Sequence, residues 1–114
     1  MNTCIFCRIA SGEASANIIY RDDKAVAFHD INPQAPVHIL IIPRKHIARV
    51  SDMTPEDESL IGHLHYVATI IARDLKIEDE GYRLVFNVGR YGGQHVYHIH
   101  LHLLGGRPMG WPPG

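Results

Sequence analysis

Residues 94–104 read Gln-His-Val-Tyr-His-Ile-His-Leu-His-Leu-Leu, and the spacing of their histidines is the strongest structural signal in the chain. His98, His100 and His102 alternate with aliphatic residues, which is the period of an extended strand. The pattern predicts three imidazole rings along one face, about 6–7 Å apart, with the aliphatic side chains buried on the other face. Each ring needs a hydrogen-bond partner or a ligand, because a buried polar group without one is costly. We therefore interpret the strand as a functional site, with a buried cluster satisfied by backbone groups as the alternative.

The composition is that of a soluble globular protein, and we expect a single domain over residues 1–114. Hydrophobic residues make up 46% of the chain and charged residues 20%, with a formal net charge of −1. Proteins that bind nucleic acids or membrane surfaces usually carry a basic excess, so we expect neither partner. No apolar run approaches the roughly 20 residues that span a bilayer, and the N-terminus lacks the pattern of a secretory signal. We expect a cytoplasmic protein whose two cysteines stay reduced.

The remaining elements predict an α+β fold. A short helix is expected over residues 3–11, with Asn2 or Thr3 as its cap, and a long helix over residues 55–75, capped by Thr54. Strands are expected over residues 18–21, 24–29, 37–43, 82–88 and 97–104. The order of these strands predicts a five-stranded, mostly antiparallel sheet that packs its aliphatic face on the long helix and leaves its histidine face open. Residues 105–114 are expected to form a C-terminal tail.

Aligned imidazoles allow two kinds of chemistry. One is metal binding, since neutral imidazole is a common zinc ligand. The other is nucleophilic catalysis by one histidine while its neighbours handle protons and charge. Gly92 and Gly93, shortly before the strand, form either a plain turn or a cradle whose amides bind a phosphate. A phosphate held beside an imidazole nucleophile favours phosphorus chemistry over metal storage.

The segment from His98 to Leu104 matches the histidine triad pattern, in which three histidines alternate with apolar residues. Further segments resemble the nucleotide-binding branch of the same family, namely residues 28–31, 33–38, 42–46, 92–94, 105–109 and 111–114. The chain therefore resembles the histidine triad (HIT) family over nearly its whole length. This resemblance implies a homodimer in which two five-stranded sheets join into a ten-stranded one.

The resemblance also implies a function, which is hydrolysis of the P–N bond of purine nucleoside 5′-phosphoramidates through a covalent nucleotidyl-histidine. His100 would be the nucleophile, and His102 would bind the phosphoryl or leaving-group oxygens. His98 and His38 would fix the tautomer of the nucleophile, and catalysis would need no cofactor. The alternatives are a nucleotide-binding interaction module with incidental activity, a dinucleoside polyphosphate hydrolase, and a metal-dependent enzyme that uses the three histidines as ligands.

Nucleotide-binding residues are implied by the same resemblance. Asp30 would accept hydrogen bonds from the ribose, and Asn87 and Gly93 would complete the ribose and phosphate contacts. The residues that would enclose the purine are Ile5, Phe6, Ile9, Phe28, His29 and Ile31. Trp111 would reach the site of the partner subunit. From local sequence alone, Asp30 is a turn residue, and the apolar positions of the first helix are ordinary core.

His95 departs from the family pattern. Well-known members carry a small hydroxyl residue at this position, and that residue touches phosphate. An imidazole is larger and can be cationic, so we expect either the ring of His95 or its backbone amide to donate there.

Cys4 and Cys7 form a Cys-x-x-Cys pair, which by its spacing is half of a zinc site. The alternative is two thiols on a short helix. Similar triad proteins with this pair use two histidines as further ligands, which correspond to His46 and His98. The resemblance thus implies a structural zinc ion held by these four side chains.

Overall fold

The structure is a computed structural model that describes residues 3–114. Its elements are α1 Ile5–Ser11, β1 Ile18–Arg21, β2 Ala25–His29, β3 Val37–Pro43, α2 Glu58–Asp74, β4 Arg83–Val85 and β5 Leu101–Gly105. The strands form one antiparallel sheet in the order β1-β2-β3-β5-β4, which confirms the predicted α+β class. No helix in this part of the chain is long and apolar enough to cross a bilayer.

Helix α1 is capped by a cysteine. The Sγ atom of Cys4 accepts a hydrogen bond from the backbone N–H of Cys7 at 3.4 Å, so the prediction of Thr3 as the cap is wrong. Asn2, the other predicted cap, lies outside the described residues. The helix ends at Gly12, as predicted, where a φ of 87° requires the left-handed conformation that glycine adopts without strain.

Helix α2 forms one wall of the core. Its first predicted turn, Pro55–Asp57, is 3-10 helix, and the carboxylate of Asp57 accepts a hydrogen bond from the N–H of Thr54 at 3.0 Å. The buried helix residues are Leu64, Val67, Ala68, Ile71 and Ala72. They pack on the aliphatic face of the sheet, which includes Ile39, Ile41, Leu101 and Leu103. Burial of each large aliphatic side chain contributes about 1.5–3 kcal/mol.

The opposite face of the sheet is only partly open. Helix α1 covers it at one end, where Phe6, Ile9 and Ala10 pack on Val26, Phe28, Leu40 and Ile42. The prediction that the histidine face is open is therefore wrong for this end of the sheet, because a second small core covers it. The uncovered part carries His38 and His102.

The histidine segment is a strand only in its second half. β5 begins at Leu101, and His102 is paired with Leu40 of β3 on one side and Val85 of β4 on the other. His98 and His100 precede the strand, so the predicted start at residue 97 is wrong. β4 is likewise shorter than the predicted 82–88, which leaves Asn87 in the loop that follows it.

Candidate active site

A cavity of about 590 Å³ opens on the histidine face of the sheet. Most of the residues that the sequence assigns to catalysis or nucleotide binding line it, namely Ile5, Phe6, Ile9, Phe28, His29, Asp30, Ile31, His38, Asn87, Gly93, His95, His100 and His102. The sequence reasoning missed the other lining residues, which are Ser15, Ala16, Asn32, Gln34, Leu40 and Val96. Asn32 and Gln34 could have been found from their place in the proline-containing loop directly after Asp30. Neither lysine nor arginine lines this cavity within residues 3–114.

Two of the predicted residues lie elsewhere. The side chain of His98 is fully buried behind the cavity wall, and Trp111 is 84% exposed and does not line the cavity of its own chain. The three triad rings therefore do not line one face, because the chain is irregular at His98 and reaches strand geometry only at Leu101.

His100 is held in one tautomer by a backbone group. Its Nδ1 lies 2.8 Å from the carbonyl oxygen of His98, which can only accept, so the proton is on Nδ1 and the lone pair is on Nε2. The ring of Phe6 meets the imidazole edge to face at a centroid distance of 5.1 Å. Burial lowers the pKa of His100, and the hydrogen bond to the carbonyl, which acts in the opposite direction, does not offset this effect. The ring is therefore neutral at neutral pH. A neutral imidazole with a free Nε2 lone pair is a competent nucleophile.

His102 adjoins His100, with their ring centroids 4.9 Å apart. Its Nδ1 lies 2.9 Å from Nε2 of His38, and its Nε2 is buried without a hydrogen-bond partner among residues 3–114. Burial, with smaller contributions from His100 and His38, lowers the pKa of His102 to about 4. Burial also lowers the pKa of His38, against the raising effect of Asp30. His38, His100 and His102 are therefore neutral at neutral pH, and His102 has an unsatisfied ring nitrogen.

Asp30 is a turn residue, as the local sequence predicts, and it also lines the cavity. Its Oδ1 accepts the backbone N–H of Asn32 at 2.8 Å, as a turn residue does. Its Oδ2 lies 3.5 Å from Nε2 of His38, and the residue lines the cavity. One oxygen thus fixes the turn while the other remains directed to the site.

The glycine pair is mainly a turn. The amides of Gly93 and Gln94 donate to the carbonyls of Arg90 and Gly89, at 3.2 and 3.0 Å, so neither amide is available to a phosphate. Gly93 has a φ of 80°, and a Cβ on Gly92 would lie 2.4 Å from the carbonyl oxygen of Val88. The loop therefore needs both glycines for its own backbone path.

Gln94 anchors this loop and was missed as a site residue. Its buried side chain donates from Nε2 to the carbonyls of Ala48 and Val96, at 2.7 and 3.0 Å. Its Oε1 accepts the N–H of Gly89 at 3.0 Å. The only signal in the sequence is a polar residue between the glycine pair and the histidine segment. Its hydrogen bonds hold the neighbouring His95 at the cavity.

Behind the cavity wall, four side chains converge as the sequence implied. Nδ1 of His98 lies 3.4 Å from Sγ of Cys4, 3.4 Å from Sγ of Cys7 and 3.1 Å from Nδ1 of His46. All four ligand atoms lie within 4.8 Å of one another. A tetrahedral zinc ion with Zn–S of about 2.3 Å and Zn–N of about 2.0–2.1 Å places its ligand atoms roughly 3.3–3.8 Å apart. The residues present therefore fit a zinc ion.

His98 is also oriented for this role. Its Nε2 donates to the carbonyl of Pro43 at 2.8 Å, which leaves the Nδ1 lone pair directed to the cysteines. Burial lowers the pKa of His98 to about 4. A ligating histidine usually donates its other ring N–H to a carbonyl or carboxylate in this way.

The sequence profile of the HIT domain matches residues 11–109. The chain belongs to the HIT family. It is 52% identical over 106 residues to a purine nucleoside phosphoramidase of Escherichia coli strain K12, with 93% of this chain and 89% of the relative covered. A HIT family hydrolase from Legionella pneumophila Philadelphia 1 superimposes with a TM-score of 0.96 at 53% identity, with 98% of this chain and 100% of that chain covered. A zinc-bound histidine triad family protein from Mycobacterium smegmatis superimposes with a TM-score of 0.80 at 34% identity, with 92% of this chain and 76% of that chain covered.

In this HIT domain the triad itself is not a set of metal ligands. Across residues 3–114, no group of converging ligand atoms contains His100. Asp30, His38 and His102 do converge within 4.8 Å, but a hydrogen bond already joins the two imidazoles. The alternative of a metal ion shared by the three triad histidines is therefore wrong.

Proposed function

We propose that this HIT domain hydrolyses the P–N bond of purine nucleoside 5′-phosphoramidates through a covalent nucleotidyl-histidine. One observation carries the proposal. The free Nε2 lone pair of His100 stands beside the unsatisfied Nε2 of His102 at the wall of a cavity of about 590 Å³. The 52% identity to the E. coli phosphoramidase supports the same reaction class.

The lining supports a division of the cavity between the parts of a nucleotide. The apolar side chains of Phe6, Ile9 and Phe28 form the wall next to α1, which suits the faces of a purine. Asp30 supplies carboxylate oxygens, which suit the two hydroxyls of a ribose. We assign the phosphoryl group to the space between His100, His102 and the loop of Asn87 and Gly93.

The reaction proceeds in two displacements. Nε2 of His100 attacks the α-phosphorus, a P–Nε2 bond forms, and the P–N bond to the amine breaks. The electron pair leaves with the amine nitrogen, which takes up a proton from water. Water then attacks the phosphorus and gives up a proton to solvent, which balances the proton taken up by the amine. The P–Nε2 bond breaks, the nucleoside monophosphate is released, and the neutral imidazole is regenerated. The Nε2–H of His102 donates to a phosphoryl oxygen, whose negative charge grows in each transition state.

Mass spectrometry of the protein mixed briefly with adenosine 5′-phosphoramidate tests the proposal. We expect one nucleotidyl group on a peptide containing His100, together with release of ammonia and the monophosphate. His100→Ala should lose the adduct and turnover, whereas His65→Ala, on the exposed side of α2, should retain both. Nucleotide binding with no adduct and no turnover would instead support an interaction module. Preferred cleavage of dinucleoside polyphosphates would support the other hydrolase class.

We further propose that Cys4, Cys7, His46 and His98 bind a structural zinc ion. A bound ion would tie the start of α1 to the segments around residues 46 and 98, and it would supply folding energy rather than reaction chemistry. Thiolate ligands suit the reducing cytoplasm, which is the expected location. Metal analysis of protein purified without chelator or affinity tag should give about one zinc per chain. A content well below that would refute the proposal.

We also propose a homodimer joined at the edges of two sheets. Within residues 3–114, strand β4 has a hydrogen-bonded neighbour on one side only, and its three residues are half-buried. Pairing of two such edges would extend the sheet from five strands to ten and would bring Trp111 near the partner's cavity. Sedimentation equilibrium should give twice the chain mass, and a monomer at micromolar concentration would refute the arrangement.

A further inference from the structure

His38 is fixed in one tautomer by the backbone of the loop before it. The peptide N–H of Gln34 lies 3.0 Å from Nδ1 of His38 and donates to it. A peptide nitrogen can only donate, so Nδ1 must carry the lone pair. The pKa of His38 is lowered by burial, so the ring is neutral and its one proton lies on Nε2.

The tautomer of His38 determines the tautomer of His102. The Nε2–H of His38 donates to Nδ1 of His102 at 2.9 Å, whereas the carboxylate of Asp30 is farther from the same nitrogen, at 3.5 Å. The proton of the neutral His102 ring therefore lies on Nε2. That nitrogen has no acceptor among the described residues, so it is free to donate to a ligand.

The backbone of Gln34 is itself held by the segment after β5, through the peptide group that follows its N–H. Its carbonyl accepts a hydrogen bond from Nη2 of Arg107 at 3.0 Å. Gly106 packs against the same loop, since a Cβ added to Gly106 would lie 2.8 Å from the Cβ of Pro36. The side chain of Gln34 donates to the carbonyl of Asn32 at 2.9 Å, which closes the loop from the other side.

We infer that the backbone of Gln34, whose carbonyl is held by Arg107, is a positioning element whose N–H makes His102 a hydrogen-bond donor to the phosphoryl group. Without this N–H, the proton of His38 can occupy Nδ1, and His102 can then present a lone pair at Nε2. A lone pair repels a phosphoryl oxygen, so the wrong tautomer removes a transition-state contact and leaves the shape of the cavity unchanged. This inference rests on the proposed function for its phosphoryl ligand and its kinetic consequences, whereas the tautomer of His102 is testable without either.

Two variants at residue 34 test the role of the peptide N–H. Gln34→Pro removes it, and Gln34→Ala keeps it while removing the side chain. Nitrogen-15 NMR of histidine-labelled protein, with the His102 signals assigned by loss in His102→Asn, reports the protonated nitrogen directly. We expect protonation at Nε2 in the parent and in Gln34→Ala, and a mixture of tautomers in Gln34→Pro. Relative to Gln34→Ala, kcat of Gln34→Pro should fall by about tenfold or more, with a smaller change in KM.

Arg107 gives a second test that holds if Gln34→Pro does not fold. Arg107→Met should populate the second tautomer of His102 and lower kcat, and Arg107→Lys, which keeps a donor, should restore both in part. An unchanged His102 tautomer in Arg107→Met, or in a folded Gln34→Pro, would overturn the inference. A parent protein with the Nε2–H tautomer but no turnover would contradict the proposed function and leave this inference standing.

Discussion

The carbonyl oxygen of His98 accepts the Nδ1–H of His100 at 2.8 Å, while the ring of His98 faces Cys4 and Cys7. The backbone of one residue thus orients the candidate nucleophile, and its side chain belongs to the candidate metal centre. The two sites are therefore adjacent, and a change at the metal centre is expected to reach the cavity through the backbone at residue 98.

Removal of the proposed zinc ion should lower stability. His46→Ala removes one of the four ligands, and we expect loss of zinc and a melting temperature lower by about 5 °C or more, since 1 kcal/mol moves the midpoint of a small domain by about 4–8 °C. Differential scanning calorimetry with and without a chelator checks this. His65→Ala is the matched control and should retain the metal. Identical melting curves for the parent with and without chelator would contradict the prediction.

Substitution of His95 should have a small effect. His95 lines the cavity and is exposed, and a serine hydroxyl can replace its ring as a donor. We expect His95→Ser to retain kcat/KM for adenosine 5′-phosphoramidate within about tenfold of the parent. A loss as large as that of His100→Ala would mean that the ring of His95 takes a direct part in the reaction.

Stability should depend on pH through His102. Its pKa is lowered to about 4 in the folded protein, mainly by burial, whereas an unfolded histidine titrates near 6.5. Between these values the unfolded chain binds more protons, so the free energy of unfolding should fall as the pH drops from about 6.5 to about 4. Urea titrations at several pH values measure the slope. His102→Asn should make it shallower, and an unchanged slope would contradict the assignment.

Asp22 should stabilise the turn between β1 and β2. Its carboxylate accepts hydrogen bonds from the hydroxyl of Tyr20 and Nε2 of His63, both at 2.7 Å, and from the backbone N–H groups of Lys24 and Ala25, both at 2.8 Å. An amide cannot accept all four bonds, so Asp22→Asn should cost about 1–3 kcal/mol in urea unfolding. Asp23→Asn, at the exposed neighbouring position, is the control and should be nearly neutral.

Asp22 should also contribute to acid sensitivity. Burial alone raises the pKa of its carboxyl group, but the hydrogen bonds from Tyr20, the Lys24 amide and His63 outweigh burial and hold it well below the usual value. Its contribution to stability is therefore complete above the unfolded pKa of about 3.9 and is lost as the pH falls further. In acid unfolding experiments, the stability of Asp22→Asn should therefore fall less steeply below about pH 3.9 than that of the parent. An equal fall in stability for variant and parent would contradict the claim.

Much of the fold could be predicted from local pattern. The β1–β2 hairpin, the buried strand Val37–Pro43 and the long helix follow from hydrophobic periodicity and from helix-start residues, and the structure has all of them. The structure of the histidine segment was harder to predict, because alternation over seven residues predicts a strand along the whole segment. His98 departs from strand geometry because its ring is hydrogen-bonded to the Pro43 carbonyl and packs beside the cysteines. These partners are distant from it in the sequence.

The site was predicted from family resemblance more than from spacing. Local reasoning gave no reason to join Asp30 or Ile31 to the triad, since these residues are about 70 positions away and meet it only through the pairing of β2, β3 and β5. Neither family resemblance nor local sequence pattern identified Gln34 and Gln94 as site residues. Each acts through backbone groups of a loop, and the sequence does not record which peptide N–H or carbonyl will face a histidine.

Neither lysine nor arginine lines the cavity within residues 3–114, which bears on how the proposed nucleotide ligands would bind. Fixed cations bind phosphate by long-range attraction that salt weakens, whereas neutral imidazoles and amides bind it only at contact distance. Nucleotide affinity should therefore vary little with ionic strength. The monophosphate released in the proposed reaction would likewise meet no lysine or arginine in the cavity that could retain it by long-range attraction.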